Sequence, residues 1–205
     1  MTLRVETAPD GKLRVHPETR AEWRAWLEAN HERREGVWLV SWRSAAGDRP
    51  RLTYEDQIGE ALCFGWVDAV VNTIDAQRTS IWMSPRRRGS GWSRPNKLRV
   101  AQLEADGLMQ ESGRRVIEAA QADGSWAMYD AAEDGIVADD LAAAFEVVPG
   151  SRERFDGFTK GSRKVMLAWL AQAKRPETRA ARAVAIAEAA GRGELAGPLR
   201  PKGGG

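Results

Sequence analysis

Leu62-Cys63-Phe64-Gly65-Trp66-Val67-Asp68-Ala69-Val70-Val71-Asn72-Thr73-Ile74 converts a helix into a strand within a few residues, and this conversion sets the fold class. Upstream, Thr53 is an N-cap with Asp56 three residues on in an approximate capping box. Tyr54, Ile58, Ala61 and Leu62 then recur at helical spacing. Glu55 and Glu60 fall mostly off that apolar face. Gly65 supplies the residue able to take positive φ where the helix stops. Beyond it, Trp66 to Ile74 and Thr79 to Met83 are rich in β-branched and aromatic residues and are separated by Asp75-Ala76-Gln77, the pattern of an antiparallel hairpin. Val37 to Arg43, bounded by Gly36 and by Ala46-Gly47-Asp48, reads as a buried strand whose partner lies further along the chain.

Towards the N-terminus, Leu13 and Val15 alternate weakly, as in a short strand or a loose arm. Pro17 is placed as a first helical residue, and Trp23, Trp26, Leu27 and Asn30 continue at helical spacing to about Ala29. His16 then reads as a cap or surface residue, and His31 follows the helix end. Towards the C-terminus the expected helices run from about Pro95 to Ala105, from Ser112 to Ala122, from Asp139 to Val147, from Ser162 onward with Val165, Met166, Trp169, Leu170 and Ala173 on one face, and from Pro176 to about Ala190 with Val184 and Ile186. A short turn is expected over Arg152 to Phe155. The sequence thus predicts an α+β protein: an α+β domain over 1–124 with a small antiparallel sheet, an acidic linker over 125–138, an all-helical domain over 139–191, and a disordered tail over 192–205.

Composition narrows the function classes. A chain of 205 residues with 42% hydrophobic and 29% charged residues is ordinary for a globular protein, and a net charge of +2 excludes a polycation held to nucleic acid by bulk electrostatics. The single cysteine excludes an internal disulfide and a cysteine-based zinc site. No stretch approaches the roughly 20 apolar residues of a membrane span, and the first residues lack the apolar core of a signal peptide, so cytoplasmic residence is expected. There is no GxGxxG, GxxxxGK[ST], GxSxG or metal-binding motif, so no cofactor or metal is expected.

Candidate chemistry concentrates after Gly65. Cys63 lies near a helix C-terminus, whose dipole disfavours a thiolate, and reads as a buried structural residue. Asp68 shares a strand face with Trp66, where it pairs with a nearby arginine or contacts a ligand. Arg78, Arg86, Arg87, Arg88, Arg94, Lys97 and Arg99, interleaved with Trp82 and Trp92, form the densest charge of one sign. Guanidinium forks suit phosphate or carboxylate, and indoles suit stacking; the same set also reads as a solvated loop or as partners for Glu60, Asp68 and the acidic linker. A second basic set, from Lys160 to Arg182, reads as the solvent face of the last helices. Nine Trp against two Tyr and four Phe is an unusual ratio, consistent with core, ligand walls and stacking platforms.

Glu60-Ala61-Leu62-Cys63-Phe64-Gly65-Trp66-Val67-Asp68, Pro85-Arg86-Arg87, Ser90-Gly91-Trp92-Ser93-Arg94-Pro95-Asn96, Gly107-Leu108-Met109 and Ala173-Lys174-Arg175-Pro176-Glu177-Thr178-Arg179 together resemble the YdeI/OmpD-associated family, also called bacteriocin-protection proteins. The resemblance extends from about Leu52 to Leu195, with Ala69 standing where family members tend to have Gly. It implies a role in envelope stress and tolerance of bacteriocins or cationic peptides, with no catalysed reaction attached. The expectation is a non-catalytic stress-tolerance protein that binds an anionic small molecule or partner through Trp66, Asp68, Arg86, Arg87, Trp92 and Asn96. Two alternatives stand beside it: an enzyme acting on an anionic substrate with Asp68 or Glu60 as general base, and a protein that binds single-stranded nucleic acid.

Overall fold

The β-rich half of the chain folds into β1 (Arg4–Thr7), β2 (Leu13–His16), α1 (Arg20–Asn30), β3 (Val37–Trp42), α2 (Tyr54–Cys63), β4 (Trp66–Thr73), β5 (Arg78–Pro85), α3 (Arg94–Ala105) and α4 (Glu111–Ala122), in a computed structural model that describes residues 3–199. Two compact units result: residues 3–90 with 95–123, and residues 91–94 with 124–199.

In the first unit five strands form one sheet in the order β1-β2-β3-β5-β4. The β4–β5 hairpin is antiparallel, with a register shift between Asp68 and Val71. Its turn is closed by Asp75, whose Oδ1 accepts from the N–H groups of Gln77 and Arg78 at 2.9 and 2.8 Å. The expected antiparallel sheet needs one correction, because β2 pairs with β3 in parallel. A parallel pair requires a crossover, and α1 supplies it. That helix starts at Arg20 rather than Pro17, because Thr19 and Glu22 form a reciprocal capping box. His16 is not a cap; it is buried at 7% exposure, its ring 4.7 Å from that of Trp42.

One sheet face and the helices enclose a core of Val15, Trp23, Leu27, Leu39, Ile58, Leu62, Trp66 and Met83, all nearly inaccessible. α4 approaches α2 so closely that a Cβ on Gly113 would lie 2.3 Å from the Cys63 carbonyl oxygen. Only a residue without a side chain permits that contact.

The second unit is helical: α5 (Asp130–Glu133), α6 (Asp139–Val147), α7 (Ser151–Gly157), α8 (Lys160–Ala171), α9 (Pro176–Gly191) and a single 3-10 turn, Gly197–Leu199. Its core gathers Leu141, Phe145, Phe155, Met166, Leu170 and Ile186, with Ala183, Ala187 and Ala190 giving α9 a flat side on which α6 and α7 pack. Four expectations change here. The acidic stretch 125–138 is not a bare linker: it carries α5, and Ala132 is buried in the core. Arg152 to Phe155 lies within a true helix, and α8 is capped by Thr159, whose hydroxyl accepts from the N–H of Ser162 at 3.1 Å. Residues 192–199 are not a loose tail, since Ala196 is buried and its N–H lies 3.5 Å from the Met166 sulfur; the rest of the expected tail, 200–205, lies outside the described residues. Among the described residues no helix is long and apolar enough to cross a membrane.

Candidate functional site

Trp66, the first residue of β4, is fully buried, meets Trp26 edge-on at 5.7 Å and donates its indole N–H to the His31 carbonyl at 3.1 Å. It is framework. Trp92 is likewise buried, but it belongs to the second unit, where it packs on Trp126 with ring centroids 4.9 Å apart. Neither indole offers the open wall that the sequence suggests.

Glu60 is 1% exposed on α2, a position that would suit a general base only if its oxygens were available. They are not. Oε1 accepts from Arg20 Nε and Oε2 from Arg24 Nη1 at 2.7 Å, while Arg24 Nη2 donates to the Leu108 carbonyl at 2.9 Å. The knot ties α1 to α2 and to the loop after α3. Cys63, one turn on, is buried; removal from water, then the Glu60 charge, pushes its thiol up to about 11. That is the reverse of nucleophile activation.

Asp68 accepts from the Tyr54 hydroxyl at 3.1 Å rather than from an arginine. Burial first, then the Asp68 charge, raises the Tyr54 phenol above its usual value. Arg99 lies over the Tyr54 ring, 5.8 Å from its centroid. It donates to both Glu55 oxygens at 2.7 Å and to Asn96 Oδ1 at 2.9 Å. Asp68 and Asn96 are therefore gathered around one Tyr–Arg pair, but the arginine charge is already offset by Glu55. Of the basic loop, Arg86 is half-buried and its backbone N–H donates to the Gly65 carbonyl at 2.9 Å, Arg87 is exposed, and Arg88 lies 3.8 Å from Asp123. Arg94, in the second unit, donates to Asp134 at 2.6 Å.

A better-formed site lies in the helical unit, where a cavity of about 300 Å³ opens beside α8. Lys164, Val165, Ala168, Trp169 and Gln172 line it at the i, i+1, i+4, i+5 and i+8 positions of one helical stripe, with Tyr129, Glu133, Ser93 and Pro198 completing the wall. The turn containing Pro198 reaches the indole because Gly197, at φ +63°, has no Cβ, which would stand 2.6 Å from Trp169. Arg182 covers the indole elsewhere, its guanidinium 4.9 Å from the ring centroid.

Glu133, with its side chain 7% exposed, accepts from the Arg94 backbone N–H at 3.1 Å and faces Lys164 Nζ at 3.4 Å. Tyr129 accepts from Gln172 Nε2 at 2.8 Å, which leaves its own phenol proton to donate. Mostly apolar walls with a few convergent polar groups are the general form of a small-molecule site. Local pattern does not single out these residues, because Tyr129 and Glu133 fall in a stretch that reads as an acidic linker and Trp169 on a helix face that reads as core.

The fold thus defines a two-unit α+β protein whose helical unit holds an amphipathic cavity. Residues 134–193, spanning α6 to α9, match the family described as Bacteriocin-protection, YdeI or OmpD-Associated, the family that the sequence resembles. Residues 15–116 match a family described as Domain of unknown function (DUF8412). The bacteriocin-protection match is therefore narrower than the expected span from Leu52 to Leu195, and the motifs between Glu60 and Met109 fall within the other match. No curated protein and no solved structure matches the chain.

Proposed function

We propose that this protein acts by binding rather than by catalysis, in a bacteriocin-protection-type role inside the cell, and that it takes a small amphipathic molecule with an anionic head into the α8 cavity. The supporting observation is the cavity itself: an apolar wall of Val165, Ala168, Trp169 and Pro198 beside the donors Tyr129, Ser93 and Lys164, with the α8 part of that wall inside the segment that matches the bacteriocin-protection family. Lys164 is the movable donor. Its contact with Glu133 is long at 3.4 Å and the side chain is 46% exposed, so it can turn to a ligand carboxylate or phosphate at little cost. Glu133 keeps its Arg94 contacts when that happens.

The test is tolerance of a bacteriocin or cationic peptide by a bacterial host expressing the protein. Wild type is expected to raise survival, and Ala168→Trp, which fills the cavity, and Lys164→Met, which removes the mobile cation, are expected to abolish the gain in proteins with native circular dichroism. Full protection by a folded Ala168→Trp protein refutes the assignment.

A further inference from the structure

The first unit carries a second cavity, of about 270 Å³, on the sheet face opposite the core. Strand pairing places its wall: Arg4 on β1 is opposite His16 on β2, Arg14 on β2 is beside Trp38 on β3, and Trp42 lies four residues further along the same face of β3. His16, Trp42, Arg4, Arg49, Glu18 and Glu22 line the cavity.

Two observations mark it as built rather than incidental. His16 is more than nine-tenths buried, and neither its Nε2 nor the buried Nε1 of Trp42 has a hydrogen-bond partner among the described residues. An indole N–H can only donate, a neutral imidazole nitrogen can accept, and a buried polar atom left without a partner costs about 1–3 kcal/mol. Two such atoms on rings 4.7 Å apart beside one cavity call for a polar ligand.

Charge narrows the ligand. Arg49 stacks over Trp42 at 4.4 Å and forms no ion pair among the described residues, and neither does Glu18. Arg4 is held by Glu6 at 2.9 Å, and Glu22 Oε2 accepts from the backbone of Glu18 at 2.8 Å. One uncommitted cation and one uncommitted anion therefore remain on the wall. A lone anion meets two glutamates there, and a lone amine meets two arginines; a molecule bearing both charges meets a complement for each.

We propose that this cavity binds a free α-amino acid as its zwitterion. The ligand carboxylate takes the Arg49 guanidinium and the Trp42 N–H, and the ligand ammonium takes the Glu18 carboxylate and the lone pair of His16 Nε2. Burial holds His16 below its ordinary value, so the neutral, lone-pair form persists at neutral pH. The volume lies just under the roughly 300–1,000 Å³ of sites for drug-sized ligands, which favours a single residue over a peptide. The inference is independent of the α8 cavity.

The test is a thermal-shift and calorimetric titration of the full chain with the twenty L-amino acids, followed by the amine and the carboxylic acid that correspond to the best of them. At least one amino acid is expected to raise Tm saturably, with both one-charge analogues at least tenfold weaker. Trp42→Phe, Arg49→Met and Glu18→Gln are each expected to weaken binding at least tenfold with the fold retained, while Ala168→Trp leaves it unchanged. Three results overturn the proposal: no amino acid shifts Tm; the carboxylic acid binds as tightly as the zwitterion; or binding survives Trp42→Phe and Glu18→Gln but is lost in Ala168→Trp.

Discussion

Glu60→Gln separates a structural carboxylate from a catalytic one. The substitution keeps shape and hydrogen-bonding atoms but removes the charge that two guanidiniums share at a site 1% exposed. Breaking a fully buried pair costs about 3–5 kcal/mol, because the surviving charge is stranded in a medium that solvates it poorly. Here the surviving partners have outlets. Arg20 is 45% exposed and can turn to water, whereas Arg24 is 23% exposed and stays tied to the Leu108 carbonyl. Weighting for these exposures lowers the expectation to about 2–4 kcal/mol. Urea denaturation at neutral pH should show that loss as a lower midpoint with an unchanged slope, since the surface exposed on unfolding is the same. A double-mutant cycle with Arg24→Met should recover part of it, because removing both partners leaves no orphan charge. A loss below about 0.5 kcal/mol, the level of an ordinary surface change, would refute the reasoning and return Glu60 to the list of available bases.

Gly113→Ala should destabilise by about 2–3 kcal/mol through overpacking, since its Cβ meets the backbone of Cys63, whereas Gly157→Ala, with open space around it, should be neutral or slightly stabilising in the same denaturation series. Cys63 should react with a thiol reagent at pH 8 no faster than the protein unfolds. Because its folded value of about 11 lies above the reference of 9.0, the unfolded chain releases its proton first. The stability it confers is therefore complete below pH 9 and lost as pH rises towards 11, and Cys63→Ala should flatten that part of the curve. His16 has the opposite sign: its folded value lies below the usual 6.5, so unfolding takes up a proton as pH falls. Stability should decline on acidification below that value, with a shallower slope in His16→Phe.

Much of the architecture was legible because period and punctuation agreed. Thr53, Gly65 and Asp75 mark the α2–β4–β5 passage, and the structure uses each as the sequence implies: Thr53 caps, Gly65 takes φ +79° and Asp75 closes the turn. The edge of the sheet was less legible. β1 and β2 are four residues each, too short for the weak alternation of Leu13 and Val15 to stand out, and the parallel pairing of β2 with β3 depends on α1 crossing over rather than on strand composition. Asp68 illustrates a second limit. Strict alternation puts Trp66, Asp68 and Val70 on one face, yet Trp66 is buried while Val70 is 57% and its neighbour Val71 63% exposed, because β4 is an edge strand that leaves the core after Asp68 with neither face covered.

The site was least legible, and the reason is geometric. A helical period of 3.6 residues groups Val165, Met166, Trp169 and Leu170 into one apolar face, but α8 divides that face: Met166 and Leu170 enter the core, while Val165 and Trp169 line a cavity one stripe over. Periodicity reports that a residue leaves water, not whether it meets other side chains or a space that a ligand can fill. Clustered charge misleads for the complementary reason. Arg94 and Arg99, members of the basic set, are matched by Asp134 and Glu55, which lie 40 and 44 residues away in sequence. The side chains with coordination still to give, Tyr129, Lys164, Arg49 and Trp42, come instead from stretches that read as an acidic linker, a solvent face, a loop and a buried strand. For this chain a binding site is better sought where the folded structure leaves polar groups incompletely matched beside a cavity than where the sequence concentrates them.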